Sequence, residues 1–250
     1  MKEKLVSIIT PSYNSEKYIV ETIQSVFQQT YQHWELLITD DGSTDTTVKI
    51  VEEYIKKDNR IQLFRIQNSG AAVARNNSIK NAKGDYVAFL DSDDIWLPEK
   101  LTKQVQFMQK NTIALSYTFY ETINELGVDL NKLIKPPLKL TYKDNLYSNY
   151  IGCLTAMYDV SILGKVYMPV IRKRQDYALW LKILKQIPYA MGIDKPLALY
   201  RVRENSISSS KIEMLKWNWK LFYNIEKLGL IKSSFYLLCN VIKKIKGSSF

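Results

Sequence analysis

Two cysteines, one histidine and no long apolar run set the first boundaries on this chain of 250 residues. Cys153 and Cys239 are too few for a disulfide framework and lack metal-ligand spacing. A reduced compartment suits them, so a cytoplasmic protein is expected. No apolar stretch approaches the roughly 18 residues of a spanning helix. The longest candidate, residues 235–242, is far too short. The chain runs directly into Leu5-Val6-Ser7-Ile8-Ile9 with no apolar leader or cleavage site, so no signal peptide is expected. There is no internal repeat, no low-complexity tract and no recognised nucleic-acid motif. His33 stands beside Trp34 at a turn and reads as a surface residue.

What is present suits a large core. The chain is 46% hydrophobic, which argues against disorder. Its length allows one large domain, or one with a smaller appendage. The net charge of +10 is unevenly placed. Residues 1–110 carry 14 Lys+Arg against 15 Asp+Glu, and residues 111–250 carry 21 against 10. A nucleic-acid partner is not expected, because the first half is neutral and no binding motif accompanies the basic half.

The first 110 residues alternate. Strands are expected at Lys4–Thr10 (ended by Pro11), Glu35–Asp40, Ile61–Ile66 and Tyr86–Leu90. Between them fall helices from Lys17 to Gln29, capped by Asn14-Ser15-Glu16, from Ser43 or Asp45 to about Lys57, and from Ala71 to Ala82 with Gly84 at C′. Pro98 opens a fourth helix. Short strand–helix connections imply an α/β fold with a parallel sheet. Beyond Lys110 the pattern loosens. Strands are expected at Ala114–Tyr120, Cys153–Tyr158, Tyr189–Ile193 and Leu197–Tyr200. A hairpin or mobile loop covers residues 121–141 and turns at Asn124-Glu125-Leu126-Gly127. Gln175–Gln186 reads as a helix.

Two acidic clusters end two of these strands: Asp40-Asp41-Gly42-Ser43-Thr44-Asp45 and Asp91-Ser92-Asp93-Asp94. A carboxylate there stands at the carboxyl rim of the sheet, where open α/β folds bind ligands. Clustered carboxylates repel one another unless something positive lies between them. A divalent cation and a ribose are the natural candidates.

Ser7-Ile8-Ile9-Thr10-Pro11-Ser12-Tyr13-Asn14, the two acidic clusters, Gly70 with Ala74-Arg75-Asn76, Gln175-Asp176-Tyr177 and Tyr200-Arg201-Val202-Arg203-Glu204-Asn205-Ser206-Ile207-Ser208 stand in order. Together they resemble family 2 glycosyltransferases of the GT-A fold, above all bacterial enzymes of capsule, teichuronic acid and lipopolysaccharide synthesis. The resemblance covers about residues 4–210. It implies a Rossmann-like, mostly parallel central sheet with helices on both faces, and a nucleotide-sugar donor, UDP-linked by preference. Residues 1–110 would form the nucleotide-binding half and residues 111–210 the acceptor half.

The resemblance also distributes roles. Asp93 would bind a divalent metal, Mn2+ or Mg2+, and Asp91 the ribose, with Ser92 alongside. Asp41 would meet the nucleobase. Pro11, Ser12, Tyr13 and Asn14 would line the base pocket. Arg75 would lie near base or diphosphate. Asp176 would be the catalytic base of an inverting transfer, taking the acceptor hydroxyl proton as it attacks the anomeric carbon. Asp94, Gln175 and Arg203 are candidate diphosphate or acceptor contacts. Gln175 departs from the usual Glu, and Arg203 from a frequent His. Structural alternatives stand beside these roles: helix caps for Asp40, Asp45, Asp94 and Asp176, a surface ion pair for Arg75, packing for Asn76. The functional alternatives are a non-catalytic nucleotide-sugar-binding partner in a glycan assembly complex, and a sugar-phosphate nucleotidyltransferase.

Residues 211–250 form a basic appendage with eight Lys and two Glu. Met214, Trp217, Leu221, Ile225 and Leu228 make one helical stripe. Ile231, Phe235, Leu238, Ile242 and Ile245 make a second. Either they pack on the catalytic domain or a second copy in a homodimer, or they contact the inner leaflet of a membrane, where a glycan or lipid-linked acceptor would be found.

Overall fold

The first half of the chain builds a parallel sheet by strict alternation. The computed structural model describes residues 3–203 and 211–245. β1 (Val6–Ser12), β2 (Trp34–Asp40), β3 (Ile61–Arg65) and β4 (Tyr86–Phe89) are separated by α1 (Ile19–Phe27), α2 (Thr47–Ile55) and α3 (Ala71–Asn81). β1 pairs in parallel with both β2 and β4, and β2 with β3. The second half continues the same sheet in mixed orientation. It contains β5 (Ile95–Trp96), α4 (Lys100–Asn111), β6 (Leu115–Ile123), β7 (Asp129–Ile134), β8 (Lys139–Leu140), α5 (Tyr142–Tyr147), β9 (Met157–Asp159), α6 (Val160–Leu163), α7 (Gln175–Leu184) and β10 (Ala190–Arg201). The order is β3-β2-β1-β4-β9-β6-β10-β5, with β7 on β6 and β8 on β10. β9 lies antiparallel between β4 and β6 and joins the two halves.

The period of two along each strand divides the core between the two faces of the sheet. Ile8, Leu36, Ile38 and Ala88 face α1, α2 and α4, where Ile23, Val26, Val51, Leu101 and Val105 are buried. Ile9, Leu37, Val87 and Phe89 face α3 and α7, with Ile79, Trp180 and Ile183. The Phe89 and Trp180 rings meet edge to face at 5.4 Å. Helices thus cover both faces, as an α/β sheet requires. A third cluster joins Tyr177 and Leu181 of α7 to Leu221 and Phe222. Those two residues belong to a π-helical turn, Leu221–Ile225, between α8 (Lys211–Lys220) and α9 (Gly229–Ile245).

Several expectations need correction. Pro11 does not end β1, since Pro11 and Ser12 still pair with Thr39 and Asp40. Leu90 N–H donates to Ile9 O, so odd positions of β1 face β4. β4 pairing stops at Ile9, and the N–H that Pro11 lacks has no strand to serve. Asn14-Ser15-Glu16 does not cap α1 with a side chain; Asn14 and Glu16 instead bind the backbone of the first acidic loop at Thr44 and Thr46. Cys153–Thr155 is a 3-10 turn, so only Met157–Asp159 remains strand there. Residues 190–201 form one strand rather than two, because register shifts around Pro196 absorb the break within β10's pairing with β6. The 121–141 segment is a hairpin, β6 with β7. The stretch Glu204–Ser208 lies outside the described residues.

Gly84 is not a left-handed C′ residue, because its φ is not positive. Its role is close approach. A Cβ there would lie 2.6 Å from both the N and Oγ of Ser7, and backbone cannot give way. Gly84→Ala is therefore expected to cost about 1–3 kcal/mol, as overpacking does. The urea midpoint should fall with an unchanged slope. An unaltered midpoint would contradict this account.

Candidate active site

The carboxyl ends of β1, β2 and β4 meet at one rim, and the two acidic clusters stand on it. The first cluster is mostly occupied in holding its own loop. The Asp40 carboxylate accepts from the N–H groups of Gly42 and Ser43 at 3.2 and 2.9 Å. Asp41 accepts from Ser69 N–H at 2.7 Å and Gly70 N–H at 2.8 Å, tying β2 to the start of α3. Asp45 accepts from Thr47 N–H at 3.0 Å, which serves the open end of α2 and holds its carboxyl below the usual range despite burial. Asn14, with φ of 47°, accepts from Thr44 N–H at 2.8 Å. Pro11 and Ser12 are buried beside this loop, and Tyr13 is half exposed.

The second cluster is held by three arginines. Arg75, buried in α3, donates to Asp91 at 2.5 Å. This is a buried pair, not the surface ion pair weighed from the sequence. Desolvation opposes its charge, but Asp91, with Cys153 and Asp176, outweighs it and raises the guanidinium pKa. Arg203 pairs with Asp93 at 2.8 Å. Arg201 is almost fully buried at the end of β10. Its backbone N–H donates to Asp94 at 2.9 Å, and its guanidinium to Asp93 O at 2.8 Å, Glu125 O at 3.1 Å and Glu21 at 2.5 Å. Ser92 Oγ lies 2.8 Å from Ser15 Oγ. Burial, and then the charges of its neighbours, push the Asp94 carboxyl well above its ordinary value. Burial also raises Asp93, against the pull of Arg203.

The second half of the chain reaches the same cleft. Gln175 is the first residue of α7, and Asp176 the second. The cap position is Arg174, in the left-handed region at φ 65°, so Asp176 is not the N-cap. With its amide turned to satisfy both neighbours, Gln175 accepts from Arg75 at 3.1 Å and donates to Arg172 O. Arg75 therefore bridges the Asp91 loop to the start of α7. Asn149 donates to Asp176 at 3.4 Å. Asn76 exchanges hydrogen bonds with the backbone of Met168, at 2.8 and 2.7 Å, so its role is packing of the 166–168 segment against α3.

Sequence reasoning missed Arg201, Arg174, Asn149 and Cys153. Cys153 lies among Asp91, Arg75 and Asp176, and burial pushes its thiol up. Arg174 Nε, Arg75 Nε, Asn149 Oδ1 and Ser12 Oγ are buried with no hydrogen-bond partner. Such orphans are unusual and mark a site shaped for a ligand. Among the described residues, no group of three or more His, Cys, Asp or Glu is placed to hold a metal alone. The donors still fit a hard cation, because Asp91 and Asp93 place carboxylate oxygens two residues apart on one loop. Mg2+ and its like are commonly held by one or two carboxylates plus ligand phosphates.

The sheet and its helices have the GT-A fold, and the family is shown by comparison. The model for glycosyl transferase family 2 matches residues 7–165, so the chain belongs to that family and is a glycosyltransferase. It is 46% identical over 244 residues to TuaG of Bacillus subtilis (strain 168), a candidate teichuronic acid biosynthesis glycosyltransferase, covering 96% of this chain and 97% of that one. It is 41% identical over 252 residues to WfgD of Escherichia coli, a UDP-Glc:alpha-D-GlcNAc-diphosphoundecaprenol beta-1,3-glucosyltransferase, covering 100% and 97%. Among solved structures, Staphylococcus aureus TarS 1–349 with UDP-GlcNAc aligns with a TM-score of 0.70 at 25% identity, over 88% of this chain and 66% of that one. This chain thus spans about two thirds of that structure. The mannosyltransferase PcManGT from Pyrobaculum calidifontis, in complex with GDP-Man and Mn2+, shares the fold with a TM-score of 0.71 at 17% identity, over 95% and 70%.

The raised Asp94 carboxyl has a consequence for the unliganded protein. The folded state holds that proton more tightly than the unfolded chain, so ionisation above about pH 4 favours unfolding. Asp94→Asn keeps an acceptor for Arg201 N–H and removes the charge. Its urea midpoint should exceed wild type at pH 7 and converge with it near pH 4. A lower midpoint at pH 7 would contradict the burial argument.

Proposed function

We propose that this glycosyltransferase moves a sugar from a nucleotide sugar, with a UDP-sugar as donor, to a lipid-linked precursor or growing surface polysaccharide, inverting the anomeric centre. The observation that carries this is Arg75. It joins Asp91 of the donor loop to Gln175, the neighbour of Asp176, so the donor carboxylates and a candidate base share one cleft. The names of WfgD and TarS's ligand, UDP-Glc and UDP-GlcNAc, support the choice of nucleotide. In this reading residues 1–110 form the donor half, 111–210 the acceptor half and 211–250 a basic appendage.

Each residue then has a task. Pro11, Ser12, Tyr13 and Asn14 line the base pocket. Asp41 keeps acceptor capacity beyond its two backbone bonds and takes the ring N–H of uracil. Asp91 receives ribose hydroxyls, with Ser92 fixing the loop through Ser15. Asp93, with diphosphate oxygens, holds Mn2+ or Mg2+. When bound, that ion acts as a Lewis acid for the departing diphosphate. Arg203 and Arg75 add fixed positive charge beside the diphosphate, and Asp94 stays buried to brace Arg201.

Asp176 takes the proton of the acceptor hydroxyl. The hydroxyl oxygen bonds to the anomeric carbon from the face opposite the diphosphate, and the bond to the diphosphate oxygen breaks. Nucleoside diphosphate leaves, and no second carboxylate acts as nucleophile. Asp176 sits in the first turn of α7 and accepts from Asn149 at 3.4 Å.

Asp176→Asn should lower transfer about 100-fold or more while leaving UDP-sugar affinity within a few-fold, as loss of a general base does. Asp93→Ala should abolish the dependence of donor binding on Mn2+ or Mg2+. Transfer by Asp176→Asn at the wild-type rate would remove the base assignment. A wild-type protein that binds but never turns over any UDP-sugar would favour a non-catalytic binding partner.

A further inference from the structure

Residues 211–250 hold two acidic side chains among eight lysines, and both acids face lysines at the ends of α7. Glu213 of α8 pairs with Lys173 at 2.6 Å, and Lys173 is buried. Glu226, itself buried, pairs with Lys185 at 2.7 Å and accepts from Tyr142 Oη at 2.5 Å. Lys185 is the C-cap of α7. Between the two pairs, Leu221 and Phe222 pack on Tyr177, Ala178 and Leu181. The Phe222 and Tyr177 rings meet edge to face at 6.0 Å. Asn240 of α9 donates to Leu146 O at 3.0 Å, a carbonyl that Tyr177 Oη also reaches, at 3.2 Å. The appendage therefore grips both ends and the middle of α7, the helix that carries Asp176.

The end nearest Asp176 needs that grip. Arg172, Lys173 and Arg174 put three cations just before α7, where the helix dipole disfavours positive charge. Arg174 also takes a left-handed backbone at φ 65°, a costly conformation for a residue with a Cβ. Such a turn persists only where its surroundings over-determine it. Gln175 helps from one side, through Arg75 and Arg172 O. Glu213 helps from the other. The Lys173 ammonium holds its carboxyl below the ordinary value, and Arg172 adds to the effect. Lys173 precedes Asp176 by three residues, with the left-handed turn between them. We propose that Glu213 is a positioning residue: by holding Lys173 it fixes the turn at Arg174 and so aims Asp176 at the acceptor hydroxyl. This rests on Asp176 being the base of the function proposed above. The basic appendage then contributes to catalysis as well as covering α7. The far pair, Glu226 with Lys185, lies about 14 Å along the helix from Asp176 and anchors the appendage without aiming the base.

The test uses the full chain and three readouts. UDP release from UDP-glucose and from UDP-GlcNAc gives turnover, calorimetric titration of UDP with Mn2+ gives donor affinity, and hydrogen exchange read by mass spectrometry follows residues 172–180. Glu213→Lys should lower turnover about tenfold, within the roughly 100-fold that a 1 Å misplacement can cost. It should leave UDP affinity unchanged and speed exchange over residues 172–180. Glu213→Lys with Lys173→Glu rebuilds the pair in reverse and should restore both turnover and exchange. Lys185→Gln should leave both at wild-type values. In the Asp176→Asn chain, Glu213→Lys should cost no further turnover, because an effect routed through Asp176 vanishes with it. Where charge reversal prevents folding, Glu213→Gln keeps an acceptor for Lys173 and should show a smaller loss of the same kind. Unchanged turnover and exchange in Glu213→Lys, no recovery in the reversed pair, an equal loss in Lys185→Gln, or a full further loss in the Asp176→Asn chain would each overturn the proposal. Wild-type turnover by Asp176→Asn itself, or no UDP release by the wild type from either sugar, would defeat the function proposed above instead. The exchange data would still decide whether Glu213 holds the turn.

Discussion

Three carboxylates crowded at the end of one strand are the constraint on which the rest of this site depends. Asp91, Asp93 and Asp94 could not stay together at a half-buried rim without compensation. Arg75, Arg201 and Arg203 supply it, and each comes from a different distance along the chain. Arg201 reaches back 107 residues to Asp94 and also holds the β6–β7 turn and α1. The acidic loop therefore fixes how the two halves of the sheet meet. Burial nonetheless raises the Asp93 and Asp94 carboxyls.

Much of this was legible from residues alone. Buried parallel strands such as Leu36-Leu37-Ile38 and Val87-Ala88-Phe89 announce themselves as apolar runs, and their carboxyl ends mark the rim. The second half was harder for physical reasons. β7 is exposed along nearly its whole length, so it has no apolar period to read. In β10, Asp194-Lys195-Pro196 looks like a turn, and only the pairing with β6 carries the strand through it. Local rules failed at Asn14-Ser15-Glu16 because tertiary partners in the 43–47 loop compete for these groups. Asp41 and Asp91 stand out in the sequence as carboxylates at strand ends, but their bonds to the 69–70 backbone and to Arg75 are long-range facts. Arg174 carries no sequence signal for its left-handed backbone.

The two stripes of the appendage show the same limit of periodicity. Both have helical spacing. Leu221 of the first is buried against α7, whereas Ile231, Phe235, Leu238 and Ile242 of the second remain exposed. Spacing reveals an apolar face but not what it meets. No described helix is long and apolar enough to cross a membrane.

The most direct test of the account is the proton balance of donor binding. Calorimetric titration of Mn2+ and UDP, repeated near pH 5 in buffers of different ionisation enthalpy, reports protons released per complex. If a cation binds beside Asp93 and Asp94, their raised pKa values fall on binding and protons are released. That release should shrink in Asp93→Asn. Binding with no release, or with net uptake, would contradict the claim that the acidic loop is completed by a metal-bound diphosphate.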